Sequence, residues 1–169
     1  YELLGALPVA VSVVLWLPMQ VGTFFGPIVV AAVVWTTTER WRPAIGVLVA
    51  GLGAWLLARL VKDTVERARP GVLVAEVAPR LDAPLDGWGY PSGHAAVAFA
   101  MIGVLSPWVS SRWRPWLWAL AGAVALARVT IGAHLPLDVV GGAAIGLTSA
   151  ALWHLAAGEP APREPAAPR

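Results

Sequence analysis

Residues 136–157 read PLDVVGGAAIGLTSAALWHLAA, and this apolar run decides the fold. It has about the twenty residues that a helix needs to cross the hydrocarbon core of a bilayer. Its one carboxylate, Asp138, stands near the start of the run. A charge at membrane depth is costly and usually marks a functional site. The run therefore predicts a transmembrane helix with part of a site at one end.

Four more apolar runs precede this one, at residues 18–35, 44–61, 92–109 and 115–131. The second is expected to continue as a more polar helix to Ala68, because Pro70 then stops it. Residues 1–17 contain Pro8 and are expected to form a short interfacial helix. The sequence thus predicts an all-α integral membrane helical bundle, with about five transmembrane helices and a short N-terminal interfacial helix.

The composition agrees with a membrane setting. Of the 169 residues, 58% are hydrophobic and 13% charged, and the mean hydropathy is +0.69. Soluble domains are about 25% charged. A net charge of +2 without a basic stripe excludes a nucleic-acid partner. The absence of cysteine excludes disulfides, thiolate nucleophiles and Cys-ligated metals.

Two domain assignments follow. Residues 1–157 form the membrane domain, and residues 158–169 (GEPAPREPAAPR) are expected to be a disordered Pro/Ala-rich tail. The chain opens at Tyr1 and not at a methionine, so we expect further domains of a longer chain. The sequence leaves the oligomeric state open.

The arginines suggest an orientation. Alternating spans place residues 36–43, 110–114 and the tail on one side, with six arginines. The other side keeps three basic residues once Lys62, Arg69 and Arg128 are assigned to chemistry. The positive-inside rule then puts the tail in the cytoplasm and residues 62–92 outside. Abundant arginine and alanine with one lysine indicate a GC-rich bacterial genome, so we expect a bacterial plasma membrane.

Three polar clusters stand at the ends of apolar runs, and the alternation of spans places all three on the same side of the membrane. They are Lys62-x6-Arg69-Pro70, Pro91-Ser92-Gly93-His94 and Arg128-x5-His134-x3-Asp138.

Each cluster suits a phosphate group. On a continuous helix Lys62 and Arg69 would lie two turns apart on one face and bind an oxyanion together. Ser92 and Gly93 are expected to open a helix, whose free amides and positive dipole end attract anions. Arg128 would add a third cation. No Walker-type glycine loop or metal-ligand array is present. We therefore expect no metal and no cofactor.

The histidines suit proton and phosphoryl transfer. Asp138 follows His134 by four residues, so its carboxylate can fix the imidazole tautomer and free the other ring nitrogen to attack. His94 could protonate a leaving oxygen.

These residues resemble the type 2 phosphatidic acid phosphatase (PAP2) family, whose signature is K-x6-RP, PSGH and SR-x5-H-x3-D. The resemblance covers residues 18–157, with one departure: Ala127 stands where the family has serine. It implies that His134 forms a phosphohistidine, oriented by Asp138, and that His94 is the acid. It also implies a phosphate cradle, independent of metal ions, made of Lys62, Arg69, Ser92, Gly93 and Arg128.

The predicted function is hydrolysis of a lipid phosphate or diphosphate at the outer face of the membrane. Polyprenyl diphosphate, phosphatidic acid and phosphatidylglycerol phosphate all remain candidate substrates, with membrane lipids as the surroundings. Two alternatives stay open: a lipid phosphotransferase using the same residues, and a non-catalytic phospholipid-binding or transport module.

Simpler explanations remain for single residues. Asp63, Glu66 and Arg67 are interpreted as a solvated helix end with i,i+4 pairs. Arg128 and Asp138 taken alone could be a structural ion pair. His154 carries no motif and is predicted not to be catalytic. Residues 71–90 could line a substrate entrance, but a plain exposed loop is favoured.

Overall fold

Helices make up most of the chain in the computed structural model, which describes residues 9–74, 80–81, 83–84 and 86–158. Single turns of 3-10 helix at Gln20–Gly22 and Ser106–Trp108 follow the first and fifth helices. The α-helices are α1 (Val9–Met19), α2 (Gly26–Thr38), α3 (Trp41–Val65), α4 (Pro70–Leu73), α5 (Gly93–Leu105), α6 (Arg114–Thr130) and α7 (Pro136–Ala157). The all-helical prediction is confirmed, and α7 has the predicted bounds.

The helices suit a bilayer. α3 has 25 residues and α7 has 22, and each is long and apolar enough to cross a membrane. Residues 10–22 and α2 meet the same criteria as a pair, with a bend of 74° between them. Large apolar side chains point outward, as in Leu155, which is 81% exposed. The protein is thus a membrane protein. Among the described residues, two or three segments meet the length and hydropathy of a crossing, against the five predicted.

The first predicted span, residues 18–35, is wrong as a single helix. α1 ends at Met19, and the next α-helix begins only at Gly26. The Thr23 hydroxyl donates to the Gln20 carbonyl at 2.8 Å, which closes the turn. A Cβ on Gly26 would collide with the Val21 carbonyl, so only glycine fits there. Local turn chemistry interrupts a run that hydropathy alone describes as continuous.

The second predicted helix is wrong at its end. α3 stops at Val65, and Glu66 takes a left-handed backbone conformation with φ of 50°. Ala68 forms an antiparallel bridge with Trp88, and the backbone of Arg69 is extended. Arg69 stands just before α4, with Pro70 in the first turn. The prediction that Lys62 and Arg69 share one helix face is therefore wrong.

The core is built from small residues, which let the helices approach closely. α5 packs most extensively against α7 and α3. Gly142 and Gly146 form a small-xxx-small pair on α7. A Cβ on either glycine would collide with a carbonyl on the α5 side, that of Ser92 or of Ala96. This contact fixes the start of α5 against the start of α7.

The connecting segments collect at two ends of the bundle. At one end Arg42 donates a hydrogen bond to the Ala157 carbonyl, and Arg40 lies 5.7 Å from the Trp108 ring centroid. At the other end the Ser92 amide donates to the Asp138 carbonyl at 2.8 Å. The grouping of the three polar clusters at one end, predicted from the alternation of spans, is found in the structure. The predicted tail lies outside the described residues, apart from Gly158.

Candidate active site

The third motif brings His134 and Asp138 together at the start of α7. Leu135 precedes the helix, and the Asp138 side chain turns back to accept a 2.7 Å hydrogen bond from the Leu135 amide. The same oxygen, Oδ2, lies 3.4 Å from Nδ1 of His134. His134 is 2% and Asp138 1% exposed. The carboxylate thus faces Nδ1, which leaves Nε2 as the ring nitrogen for chemistry.

The second motif starts α5 as predicted. Ser92 is the N-cap of the helix, and its buried hydroxyl oxygen accepts from the Ala95 amide at 3.5 Å. A Cβ built on Gly93 would meet nothing within 4 Å in the described part of the chain. The helix N-terminus therefore borders open space, where its amides can receive an anion.

The two cations of the first motif are held by the loop before α5. Lys62, in the last turn of α3, donates through Nζ to the carbonyls of Trp88 at 3.0 Å and Gly89 at 3.2 Å. Arg69 donates from Nε to the Asp86 carbonyl at 2.7 Å and from Nη1 to the Ala133 carbonyl at 3.0 Å. Residues 86–88 are exposed, as the sequence favoured for this loop, but carbonyls within residues 86–89 also hold the two cations in place.

Arg128 is buried beneath the site. It belongs to the last turn of α6, is 3% exposed, and donates through Nη1 to the Met19 sulfur at 3.2 Å. Ala127, which replaces the family serine, is fully buried with Met19, Ile131 and Ala133. The end of α1 thus contacts a residue of the site, although the sequence assigned the site to three motifs alone.

Burial and nearby positive charges both shift the pKa of His134. Burial lowers the pKa of His134 well below its ordinary value of 6.5, and the positive charges of Arg128, Lys62 and Arg69 lower it further. His94 acts in the same direction. At neutral pH His134 is therefore a neutral imidazole.

Two opposing effects act on the pKa of Arg69. Burial lowers the pKa of Arg69, while the Asp86 carboxylate opposes this effect. Arginine stays protonated at any ordinary pH even so, because its unperturbed pKa lies far above neutrality. The site thus presents a fixed positive charge beside the neutral His134 imidazole.

His94 reaches the site from the first turn of α5. The three cations that act on His134 (Lys62, Arg69 and Arg128) also act on His94. A Cβ on Gly22 would stand 2.6 Å from the His94 carbonyl, so the turn after α1 packs directly on this backbone. The structure therefore brings all eight candidate residues to one end of the bundle.

Two further residues join the site that the sequence did not assign to it. Arg67 forms an ion pair with Oδ1 of Asp138, although the sequence suggested only a solvated helix end. Its guanidinium carbon also lies 5.0 Å from the ring centroid of Tyr90. No spacing rule could reveal this pair, because residues 67 and 138 meet only when the segment that follows α3 packs against the start of α7.

Two negative findings complete the site. His154 lies beside the Gly103 carbonyl at 3.2 Å, far along α7 from the motifs, which fits its predicted non-catalytic role. Within the described ranges no group of three or more His, Asp or Glu side chains stands close enough to hold a metal ion. Glu76 and Asp82, which the sequence offered as residues of a substrate entrance, lie outside the described residues.

A protein-family model and a curated protein both match this chain. Residues 43–160 match the model of the PAP2 superfamily. Bacitracin transport permease protein BcrC of Bacillus licheniformis is 30% identical over 115 residues, covering 68% of this chain and 55% of that protein. The chain thus spans about half the length of this curated relative.

Two solved structures share the fold. LpxE of Aquifex aeolicus matches with a TM-score of 0.79 and 23% identity, over 90% of each chain. The transmembrane PAP2 type phosphatidylglycerolphosphate phosphatase of Bacillus subtilis matches with a TM-score of 0.73 and 21% identity, over 90% of this chain and 79% of that one.

Proposed function

Because this chain belongs to the PAP2 superfamily, we propose that it is a membrane phosphatase that hydrolyses a lipid phosphate or diphosphate through a phosphohistidine on His134. The observation that carries the proposal is the surroundings of His134. It is a buried imidazole with a carboxylate 3.4 Å from Nδ1 and three cations acting on the ring. Such a group is a neutral nucleophile beside charges that suit a phosphate.

In the first step, Nε2 of His134 attacks phosphorus and the bond from phosphorus to the lipid oxygen breaks. The electron pair of that bond goes to the lipid oxygen. His94 enters this step as the imidazolium, because the bound phosphate anion offsets the charge of the three cations, and it gives the lipid oxygen its proton. Lys62, Arg69 and Arg128 balance the negative charge of the phosphoryl oxygens in the transition state. Asp138 stabilises the positive charge that develops on the His134 ring.

In the second step, water attacks the phosphohistidine. The bond from phosphorus to Nε2 breaks and its electron pair returns to the ring, while neutral His94 takes a proton from the water. Phosphate leaves, and both histidines regain their starting states. Every step uses protein side chains alone, so we propose that no metal ion takes part.

An apolar cavity supports a lipid substrate. A space of about 590 Å³ lies in the angle between α1 and α2, lined mainly by apolar residues such as Leu17, Phe25 and Val29. The turn that lines it also contacts the site, since Met19 accepts from Arg128 and Gly22 packs on His94. We propose that the hydrocarbon tail occupies this cavity while the head group meets the cations.

The membrane arrangement that we propose has five crossings, by α2, α3, α5, α6 and α7. α1 would lie along the interface, which the 74° bend between its segment and α2 supports. The excess of arginine near Arg40 and Arg112 favours that end as cytoplasmic. The site would then open at the outer face of a bacterial plasma membrane.

The test is phosphate release by the purified chain in detergent. The panel holds polyprenyl diphosphate, phosphatidic acid and phosphatidylglycerol phosphate. The last is included because the Bacillus subtilis protein is named a phosphatidylglycerolphosphate phosphatase. We expect release from at least one lipid, with and without EDTA. His134→Gln should abolish release, whereas the matched control His154→Gln should keep it. Full activity of His134→Gln would overturn the mechanism.

One observation favours a second function: the Bacillus licheniformis relative is named a transport permease. A non-catalytic transport module would bind lipid phosphates but form no phosphohistidine. Brief reaction with a lipid carrying labelled phosphate, followed by denaturation in base, separates the two functions. If the chain becomes labelled and this labelling requires His134, the result supports catalysis. If the chain binds the lipid tightly but is not labelled, the result supports transport. Adding an alcohol acceptor to the same reaction detects a phosphotransferase by its product.

A further inference from the structure

The two oxygens of the Asp138 carboxylate have different partners. Oδ2 accepts from the Leu135 amide at 2.7 Å and lies 3.4 Å from Nδ1 of His134. Oδ1 pairs with Nη2 of Arg67. A carboxylate that binds on both sides cannot rotate without losing a contact, so Arg67 restricts the direction in which Oδ2 points.

Arg67 is itself fixed in place. Its carbonyl accepts from the Gly89 amide at 2.6 Å, and its guanidinium carbon lies 5.0 Å from the Tyr90 ring centroid. That ring packs on α7 at Gly141, where a Cβ would stand 2.6 Å from a ring carbon. Arg67 is thus held between the loop before α5 and the first turns of α7.

Charge adds a second reason. Asp138 is 1% exposed, and a carboxylate so deeply buried needs a cation. Without Arg67, Asp138 would have to draw on the cations that act on its neighbour His134, which are Lys62, Arg69 and Arg128. Pairing with any of these would take positive charge away from the phosphate.

We propose that Arg67 is a positioning residue: it orients and neutralises Asp138, so that the carboxylate aligns His134 and the other three cations stay available to the phosphate. The inference rests on the proposed function, in which His134 is the nucleophile. Arg67 does not itself contact the substrate.

The kinetic test uses Arg67→Ala, Arg67→Lys, Asp138→Asn and the double variant Arg67→Ala/Asp138→Asn. We expect Arg67→Ala to lower kcat by about 10–100-fold, as loss of an outer-shell partner does, with KM changed less than about twofold. Arg67→Lys keeps the charge and should recover part of kcat. Because Arg67 acts through Asp138, the double variant should be no slower than Asp138→Asn alone.

The matched control is Arg59→Ala. Arg59 lies on α3 and, like Arg67, stands over an aromatic ring, with its guanidinium carbon 5.7 Å from the Trp55 centroid, but it is not part of the site. It should keep full kcat. Additive losses in the double variant would overturn the proposal. So would a raised KM at unchanged kcat, because that would make Arg67 a phosphate ligand.

A second readout does not depend on activity. In chain labelled with ¹⁵N-histidine, the ring shifts of His134 report which nitrogen carries the proton. We expect one tautomer, protonated on Nδ1, in the wild type and in Arg59→Ala, and a mixture in Arg67→Ala. An unchanged tautomer in Arg67→Ala overturns the positioning role. A wild type that hydrolyses no lipid phosphate overturns the proposed function instead, and the shifts still decide the role of Arg67.

Discussion

The amide of Ser92 donates a 2.8 Å hydrogen bond to the carbonyl of Asp138. This bond ties the N-cap of α5 to the first turn of α7, and so joins the helix end proposed to bind the phosphate to the carboxylate that faces His134. Just below it, Gly142 lets α7 approach the Ser92 carbonyl. The geometry of the site is therefore set by how closely α5 and α7 pack.

Gly142→Ala should damage both stability and activity. The added methyl collides with the Ser92 carbonyl, and overpacking of this kind costs about 1–3 kcal/mol. Because relief requires α5 and α7 to separate, Ser92 and Asp138 move apart and kcat falls. Thermal unfolding in detergent and lipid-phosphate release measure the two effects.

The matched control for this variant is Gly122→Ala in α6. A Cβ there meets nothing within 4 Å in the described chain, and alanine is a better helix former by about 1 kcal/mol. Gly122→Ala should therefore keep activity and gain stability. Unchanged activity in Gly142→Ala would show that the two helix starts are not coupled.

Gly93→Ala tests the anion site at the start of α5. The new methyl meets no atom of the described protein, so the melting temperature should change little. It enters the space beside the free amides, and we expect KM for the lipid phosphate and Ki for inorganic vanadate to rise together. Equal KM and Ki in Gly93→Ala and wild type would place the phosphate elsewhere.

Much of the site was predictable from the sequence, because the second and third motifs specify their own local geometry, whereas the helix face expected for Lys62 and Arg69 was wrong. Four residues separate His134 from Asp138, and a helix start brings them together. Pro91-Ser92-Gly93 marks a helix start by its capping chemistry. Alternation of the apolar runs then places the motifs at one end of the bundle.

The remainder depends on packing between distant segments. The pairing of Arg67 with Asp138 arises only when α3 and α7 lie side by side. Likewise, Met19 reaches Arg128 only because the chain turns between α1 and α2. Hydropathy averages over that turn, and only Thr23, Gly26 and Pro27 give a local signal of it. The second predicted helix ran past Val65 for another reason: Pro70 is the first strong helix breaker in the sequence, whereas the left-handed backbone of Glu66 already ends α3.

The lowered pKa of His134 predicts how stability depends on pH. An unfolded histidine takes up a proton near pH 6.5, whereas folded His134 stays neutral to a much lower pH. The unfolded state therefore binds more protons below about pH 6.5, and stability falls as pH decreases. The loss amounts to at most about 1.4 kcal/mol for each pH unit between the two pKa values.

Thermal unfolding of wild type, His134→Gln and His154→Gln between about pH 7.5 and about pH 5 measures this loss. Removing His134 should flatten the fall in melting temperature, because glutamine takes up no proton. His154→Gln, at the other end of α7, is the control for the loss of a half-buried histidine ring. Parallel curves for wild type and His134→Gln would contradict the lowered pKa.

Val29→Trp tests whether the lipid tail occupies the cavity between α1 and α2. Val29 lines this cavity, and an indole there fills part of its roughly 590 Å³. Val33 lies one turn later on α2, is similarly exposed (53% against 59%) and does not line the cavity, so Val33→Trp is the matched control.

We expect Val29→Trp to raise KM for a long-chain lipid phosphate about tenfold, the change that loss of roughly 1.4 kcal/mol of apolar contact gives. A short-chain, water-soluble phosphate ester should be hydrolysed equally by both variants, because its head group meets the same cations. Equal KM values of the two variants for the long-chain lipid would exclude this cavity as the tail site, and loss of the short-chain activity in Val29→Trp would show that the indole disturbs the site itself.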